Sequence, residues 1–238
     1  MGDDVVCYLV LMCSLPLFVY SMYLAGVGSG ELDTGTKAFF LILFGTCVVL
    51  LVYKTLRVIG QSRLRRLGLA GEMAAAEELN RLMLDGYRVY HDFPADRFNI
   101  DHIIVGPAGV FAVETKARSK KGRGDRKAEA RVTSDGRRLE FPSWTTTEPI
   151  DQAKRQAAWL SKWLSGAVDA PVKVSPMVTI PGWYIERKTR DGVPVLNPKN
   201  VKSFLDSKKE SVLSETMIQR ICHQLEQKCR DVDLWEWY

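Results

Sequence analysis

Charge is nearly missing from the first fifth of this chain. Residues 1–53 hold one basic side chain, Lys37, and four acids, Asp3, Asp4, Glu31 and Asp33. Histidine is scarce (3 residues), and the 5 cysteines show no Cys-x-x-Cys or Cys/His spacing. Neither a zinc site nor a disulfide framework is implied. There is no internal repeat. With Gly 18, Pro 10, 46% hydrophobic and 26% charged residues, the composition excludes a disordered or collagen-like chain. A length of 238 residues suits one ordinary domain with an appendage.

What the first fifth does contain is long apolar runs. Residues 5–27 carry no charge; as a helix they measure about 35 Å, enough for a hydrocarbon core of about 30 Å. Residues 38–53 form a second run between Lys37 and Lys54, whose stems can snorkel to the interfaces. The Gly-rich connector between them predicts a transmembrane hairpin. A secretory signal is disfavoured because Gly2-Asp3-Asp4 replaces the basic n-region, and Val6 stands where a myristoylation signal needs Ser or Thr. Lys54, Arg57, Arg63, Arg65 and Arg66 follow the second run with no acid among them, which places the rest of the chain in the cytosol. The expected organisation is therefore 1–66, two spans and a basic juxtamembrane segment, followed by a cytosolic domain at 67–238. The spans leave pairing with another copy or with a membrane partner open. Cys7, Cys13 and Cys47 fall in the spans, and Cys222 and Cys229 on a C-terminal helix.

Residues 69–85 read as a helix with a stripe at Ala76, Leu79 and Met83, closed by Gly86. Strands follow at 87–91, 98–105 and 110–116, then a hydrophilic stretch with a hairpin around Ser134-Asp135-Gly136. An amphipathic helix at 149–164 presents Ile150, Ala153, Ala157, Leu160 and Leu164. A buried strand at 172–180 and helices at 199–205 and 214–229 complete an α/β layer fold with a mixed sheet.

The informative stretch is Asn99-Ile100-Asp101-His102-Ile103-Ile104-Val105-Gly106-Pro107-Ala108-Gly109-Val110-Phe111-Ala112-Val113-Glu114-Thr115-Lys116. A turn at Pro107-Ala108 sets Val105 opposite Val110, Ile103 opposite Ala112 and Asp101 opposite Glu114, all on one face, with Lys116 continuing it. Two carboxylates about 5 Å apart between their Cβ atoms repel unless a cation lies between them. Lys116 supplies part of that charge; Mg²⁺ or Mn²⁺, held by Asp101, Glu114 and the Thr115 carbonyl, supplies more. That chemistry is phosphodiester hydrolysis, with Lys116 orienting or deprotonating water. The competing reading is a solvated strand end bearing an ion pair worth little. His102 alternates to the other face and is read as structural; His91 and His223 fall in no pattern.

The pattern of Asp101, twelve residues, then Glu114-Thr115-Lys116 resembles the PD-(D/E)XK nuclease superfamily. The longer stretch, with Gly71-Glu72 and Pro149-Ile150-Asp151-Gln152, is similar to the nuclease-related domain (NERD) family over residues 68–180. Ile100 stands where the superfamily has its name-giving proline. The resemblance implies a PD-(D/E)XK-like mixed central sheet flanked by helices and a Mg²⁺-dependent nuclease acting on DNA, with Asp101, Glu114 and Lys116 as its catalytic trio. Glu72 corresponds to an acid that some members add from the first helix, equally readable as a partner of the helix dipole. Gln152 corresponds to a polar residue after the sheet, suited to substrate contact.

From Lys116 to Glu140 there are ten Lys and Arg against four acids. Lys120, Lys121, Arg123, Arg126 and Lys127 are the expected phosphate contacts, giving affinity and salt dependence without sequence choice. Trp144, Trp159 and Trp163 read as packing aromatics, with base stacking as the alternative. Two rival functions stay open: a catalytically silent, membrane-tethered nucleic-acid-binding or scaffold domain, and a module whose basic faces bind anionic lipid.

Overall fold

The computed structural model describes residue 14 and residues 16–26, 33–119, 130–208 and 213–230. The chain falls into two units, one ending at Arg65 and the next beginning at Arg66.

In the first unit, residues 16–26 are helical (α1), and the remainder of the expected first span lies outside the described residues. The second span does not stop at Tyr53. It belongs to α2, Thr34–Asn80, a continuous helix of 47 residues. Residues 54–66 were expected to link two elements. Instead they stay helical because their Leu, Arg, Gln and Lys are good helix formers and no proline interrupts them. Among the described residues this is the one helix long and apolar enough to cross a membrane, so a two-span hairpin is not established.

The second unit is α/β. Arg88–Pro94 (β1), Asn99–Gly106 (β2) and Gly109–Thr115 (β3) form an antiparallel meander. After β3 come the short strands Arg131–Ser134 (β4), Leu139–Phe141 (β5) and Trp144–Thr146 (β6), then helix α3, Glu148–Ala167. Val174–Thr179 (β7), Tyr184–Arg187 (β8) and Val195–Leu196 (β9) follow, then helices α4, Val201–Asp206, and α5, Glu215–Arg230. The main sheet has the order β1-β2-β3-β7-β9, with β7 parallel to β3 and β9 parallel to β7. A second sheet, β6-β5-β4-β8, includes the expected hairpin at Ser134-Asp135-Gly136, where Asp135 Oδ1 accepts from the amides of Arg137 and Arg138.

The β2–β3 register is the one the sequence predicts: Val105 pairs with Val110 and Ile103 with Ala112. Gly109 at φ +117° permits the tight turn. Ile103, Val105, Val110 and Ala112 pack on Leu160 and Leu164 of α3 and on Ile221 and Leu225 of α5. The opposite face, Ile104, Phe111 and Val113, packs on Leu79, Leu82 and Met177. The buried line of α2 is Gly71, Ala75, Leu79, whereas Met83 is exposed. Its expected place on the stripe fails because the last turn, Arg81–Asp85, tightens to a 3-10 helix.

Candidate nuclease-like site at the end of the third strand

Buried polar groups are costly unless partnered, so their location marks where chemistry was retained. Four of the six buried polar residues among those described, Glu114, Thr115, Gln156 and Thr179, gather at the C-terminal ends of β3 and β7. Glu114 is 1% exposed, which removes the solvated strand end as a description of this place. Lys116 Nζ lies 2.7 Å from Glu114 Oε1, and Gln156 Nε2 donates to Glu114 Oε2 at 2.7 Å. Across the hairpin, Asp101 Oδ2 accepts the Thr115 amide at 2.7 Å. Thr115 and Thr179 join hydroxyls at 2.9 Å, and the Lys116 amide donates to the Thr179 carbonyl at 2.9 Å, so β7 fixes the backbone that carries the lysine.

Helix α3 supplies the facing wall. Pro149 sits in its first turn, where no amide is needed, with Glu148 and Asp151 at the positive end of the helix dipole. Its apolar positions Ile150, Ala153, Ala157, Leu160 and Leu164 are buried as expected. Beside them runs a polar row at four-residue spacing. Glu148 Oε1 is 3.7 Å from Lys116 Nζ, Gln152 Oε1 accepts from the same ammonium at 3.1 Å, and Gln156 holds Glu114. Gln152 therefore meets Lys116 directly. Gln156, one turn on, was not singled out from the sequence; its signal was the i, i+4 repeat of Gln152 along the core edge.

Glu72 is half-buried in the part of α2 that passes over this strand end. Gly71 explains the approach: a Cβ there would stand 2.4 Å from Ala117 Cβ, so only glycine lets the helix lie so close. Burial first, then the charges of Glu114 and Glu72, push the Asp101 carboxyl up to about 7, against the pull of the Thr115 amide and Lys116. Burial also raises Glu114, and Lys116 and Gln156 only partly offset it. Burial pulls Lys116 down, but its hydrogen bond and charge pairing with Glu114 prevail and leave it raised and cationic.

Lys120, Lys121, Arg123, Arg126 and Lys127 lie outside the described residues. His102 is buried behind the site as expected, and its Nδ1 is 2.8 Å from His91 Nδ1. Trp159 and Trp163 stack on each other and pack edge-on against Phe98 and Phe93, so they are packing aromatics. Residues 67–181 match the family described as nuclease-related domain. No curated protein and no solved structure matches the chain.

Proposed function

We propose that the nuclease-related domain at residues 67–181 hydrolyses phosphodiester bonds of DNA, on the cytosolic face of a membrane to which the apolar N-terminal helices tether it. The observation that carries this reading is Glu114. A carboxylate is kept almost wholly buried at a strand end, opposite a second carboxylate, with Lys116 and Gln156 each bonding one of its oxygens and Gln152 holding the lysine.

The residues present fit a hard divalent cation. Asp101 and Glu114 offer only oxygen, and burial, with the charge of Glu114 second, raises the Asp101 pKa. Gln156 turns its NH₂ to Glu114, which leaves its buried Oε1 without a donor beside the site. No group of three His, Cys, Asp or Glu with metal-binding spacing occurs among the described residues. Asp101 and Glu114 would therefore hold Mg²⁺ or Mn²⁺ with the Thr115 carbonyl, and Glu72 would add negative field from α2. A bound cation of this kind polarises a phosphate and acidifies water. Lys116 then orients the attacking water and balances charge on the phosphate, while Gln152 and Glu148 hold its ammonium in place.

The test is cleavage of linear and circular DNA, and of RNA, by the full chain in detergent. Activity is expected with Mg²⁺ or Mn²⁺, none with EDTA, and a loss of at least about 100-fold in Glu114→Ala and Lys116→Ala, the scale of a positioned acid–base group. A second reading rests on a specific observation: both oxygens of Glu114 are already engaged by protein groups. On that reading the domain binds nucleic acid without turnover, and salt-sensitive binding with no cleavage under any metal would decide for it.

A further inference from the structure

Beyond Lys116 the chain does not leave the domain surface at once. Ala117 lies under Gly71, and the Arg118 carbonyl accepts from Trp183 Nε1 at 3.1 Å. That bond sets Arg118 at the mouth of a cleft of about 260 Å³ on the second sheet. The lining is aromatic. Phe141 and Trp144 stack with centroids 4.3 Å apart and planes within 3°, and Trp183 meets Phe141 edge-on at 5.3 Å. Among the described residues no acid lines the cleft.

Two features are unexplained by packing alone. Phe141 and Trp183 are buried, yet Trp144, on edge strand β6, keeps 41% of its surface in water. The Arg118 guanidinium stands 5.3 Å from the Trp144 ring centre, and no ion pair to a carboxylate is formed by it among the described residues. Phe141 covers one face of the Trp144 ring; the surface it leaves in water, beside a guanidinium with no carboxylate partner among the described residues, is what one nucleotide requires. The ring takes the base by stacking and the guanidinium takes the phosphate.

We infer that this cleft is a subsite for an unpaired nucleotide, with its base against Trp144 and its phosphate on Arg118. Only Ala117 separates Arg118 from Lys116, a span of at most about 7 Å. The subsite therefore lies one or two nucleotides from the bond proposed to be cut. A paired base cannot present its face to Trp144 while stacked in a helix, so the substrate class is single-stranded nucleic acid, or a frayed or flapped end, in preference to uninterrupted duplex. This inference rests on the nucleic-acid reading above and specifies its substrate.

The experiment is fluorescence anisotropy with the full chain in detergent and EDTA, so that binding is read without turnover. The probes are a fluorescein-labelled single-stranded oligonucleotide and a blunt duplex of the same sequence. Trp144→Ala is expected to weaken single-strand binding roughly 5- to 100-fold, the range for loss of one base-stacking aromatic. Duplex binding should move less than about twofold, the scale of a surface change that removes no contact. Trp144→Phe should restore most of the single-strand affinity, and it guards against a folding defect in the alanine variant. Equal losses on both probes, or no loss on the single strand, would overturn the subsite while leaving the nucleic-acid reading intact. Failure of the unsubstituted chain to bind either probe would overturn both.

Discussion

The side chain on which most depends is Glu114, and its energetics follow from burial. A carboxylate 1% exposed is tolerable because Lys116 and Gln156 each bond one of its oxygens. Lys116→Met removes the cation and strands the charge. Breaking a buried pair this way costs on the order of 3–5 kcal/mol, whereas removing both charges is nearly neutral. Urea denaturation is therefore expected to show a large loss in Lys116→Met that Glu114→Gln added to it largely recovers; additive losses would contradict the pairing. A second residue-scale prediction concerns pH. Burial, with His91 second, pushes His102 down to about 3, and burial lowers His91 as well. With Asn80 Oδ1 accepting from His91 Nε2, His102 must donate from Nδ1, which leaves its buried Nε2 bare. Both folded-state values lie below the ordinary value of about 6.5, so the unfolded chain takes up protons first as pH falls. The stability this pair contributes is complete above about pH 6.5 and declines toward pH 3. The raised pKa of Asp101 works in the opposite sense, so the readout is a difference. Between pH 7 and 5 the urea midpoint of the unsubstituted chain should fall more than that of a His91→Gln/His102→Gln variant, and parallel curves would refute the assignment.

At the scale of elements, the approach of α2 to the end of β3 depends on one missing methyl group. Gly71→Ala places a Cβ 2.4 Å from Ala117 Cβ. The helix interior cannot yield without moving Glu72, so the expected cost is about 1–3 kcal/mol of overpacking, with a fall in the rate of the proposed nuclease reaction. Ala117→Gly in the same chain should recover stability and rate together; a Gly71→Ala chain with unchanged melting temperature would show that the helix is not seated there. The sequence made this part of the fold legible for local reasons. Alternating Ile and Val set the β2–β3 register around a two-residue turn, and that register alone brought Asp101, Glu114 and Lys116 to one edge. The second sheet was hidden because its strands are three or four residues long, and β4 finds its parallel partner β8 fifty residues away. No local period signals such a pairing. Gln156 was hidden for a related reason: a glutamine beside an apolar stripe reads as surface until a strand end arrives opposite it. Trp144 divides from Trp159 and Trp163 on the same ground, since only the tertiary fold decides which ring is covered.

For the whole molecule, one apolar helix at Thr34–Asp85 and an uncharged run before it predict a chain that stays with the membrane. It should remain in the pellet after alkaline extraction and enter solution only with detergent. On the topology proposed from the basic residues after Tyr53, a C-terminal epitope should be digested by protease in inside-out vesicles and spared in sealed right-side-out ones; the reverse pattern would put the nuclease reading on the wrong side of the bilayer. Within the α/β unit, the short stretch from Thr179 to Trp183 pins the backbone around Lys116: Thr179 takes the amide of Lys116, and Trp183 grips the carbonyl of Arg118. The lysine is thus anchored at its root, and its ammonium meets Glu114, Gln152 and Glu148 together, from interior to rim. With the main chain fixed on either side, the reach of this ammonium toward the phosphate proposed above is set by rotation of its own side chain.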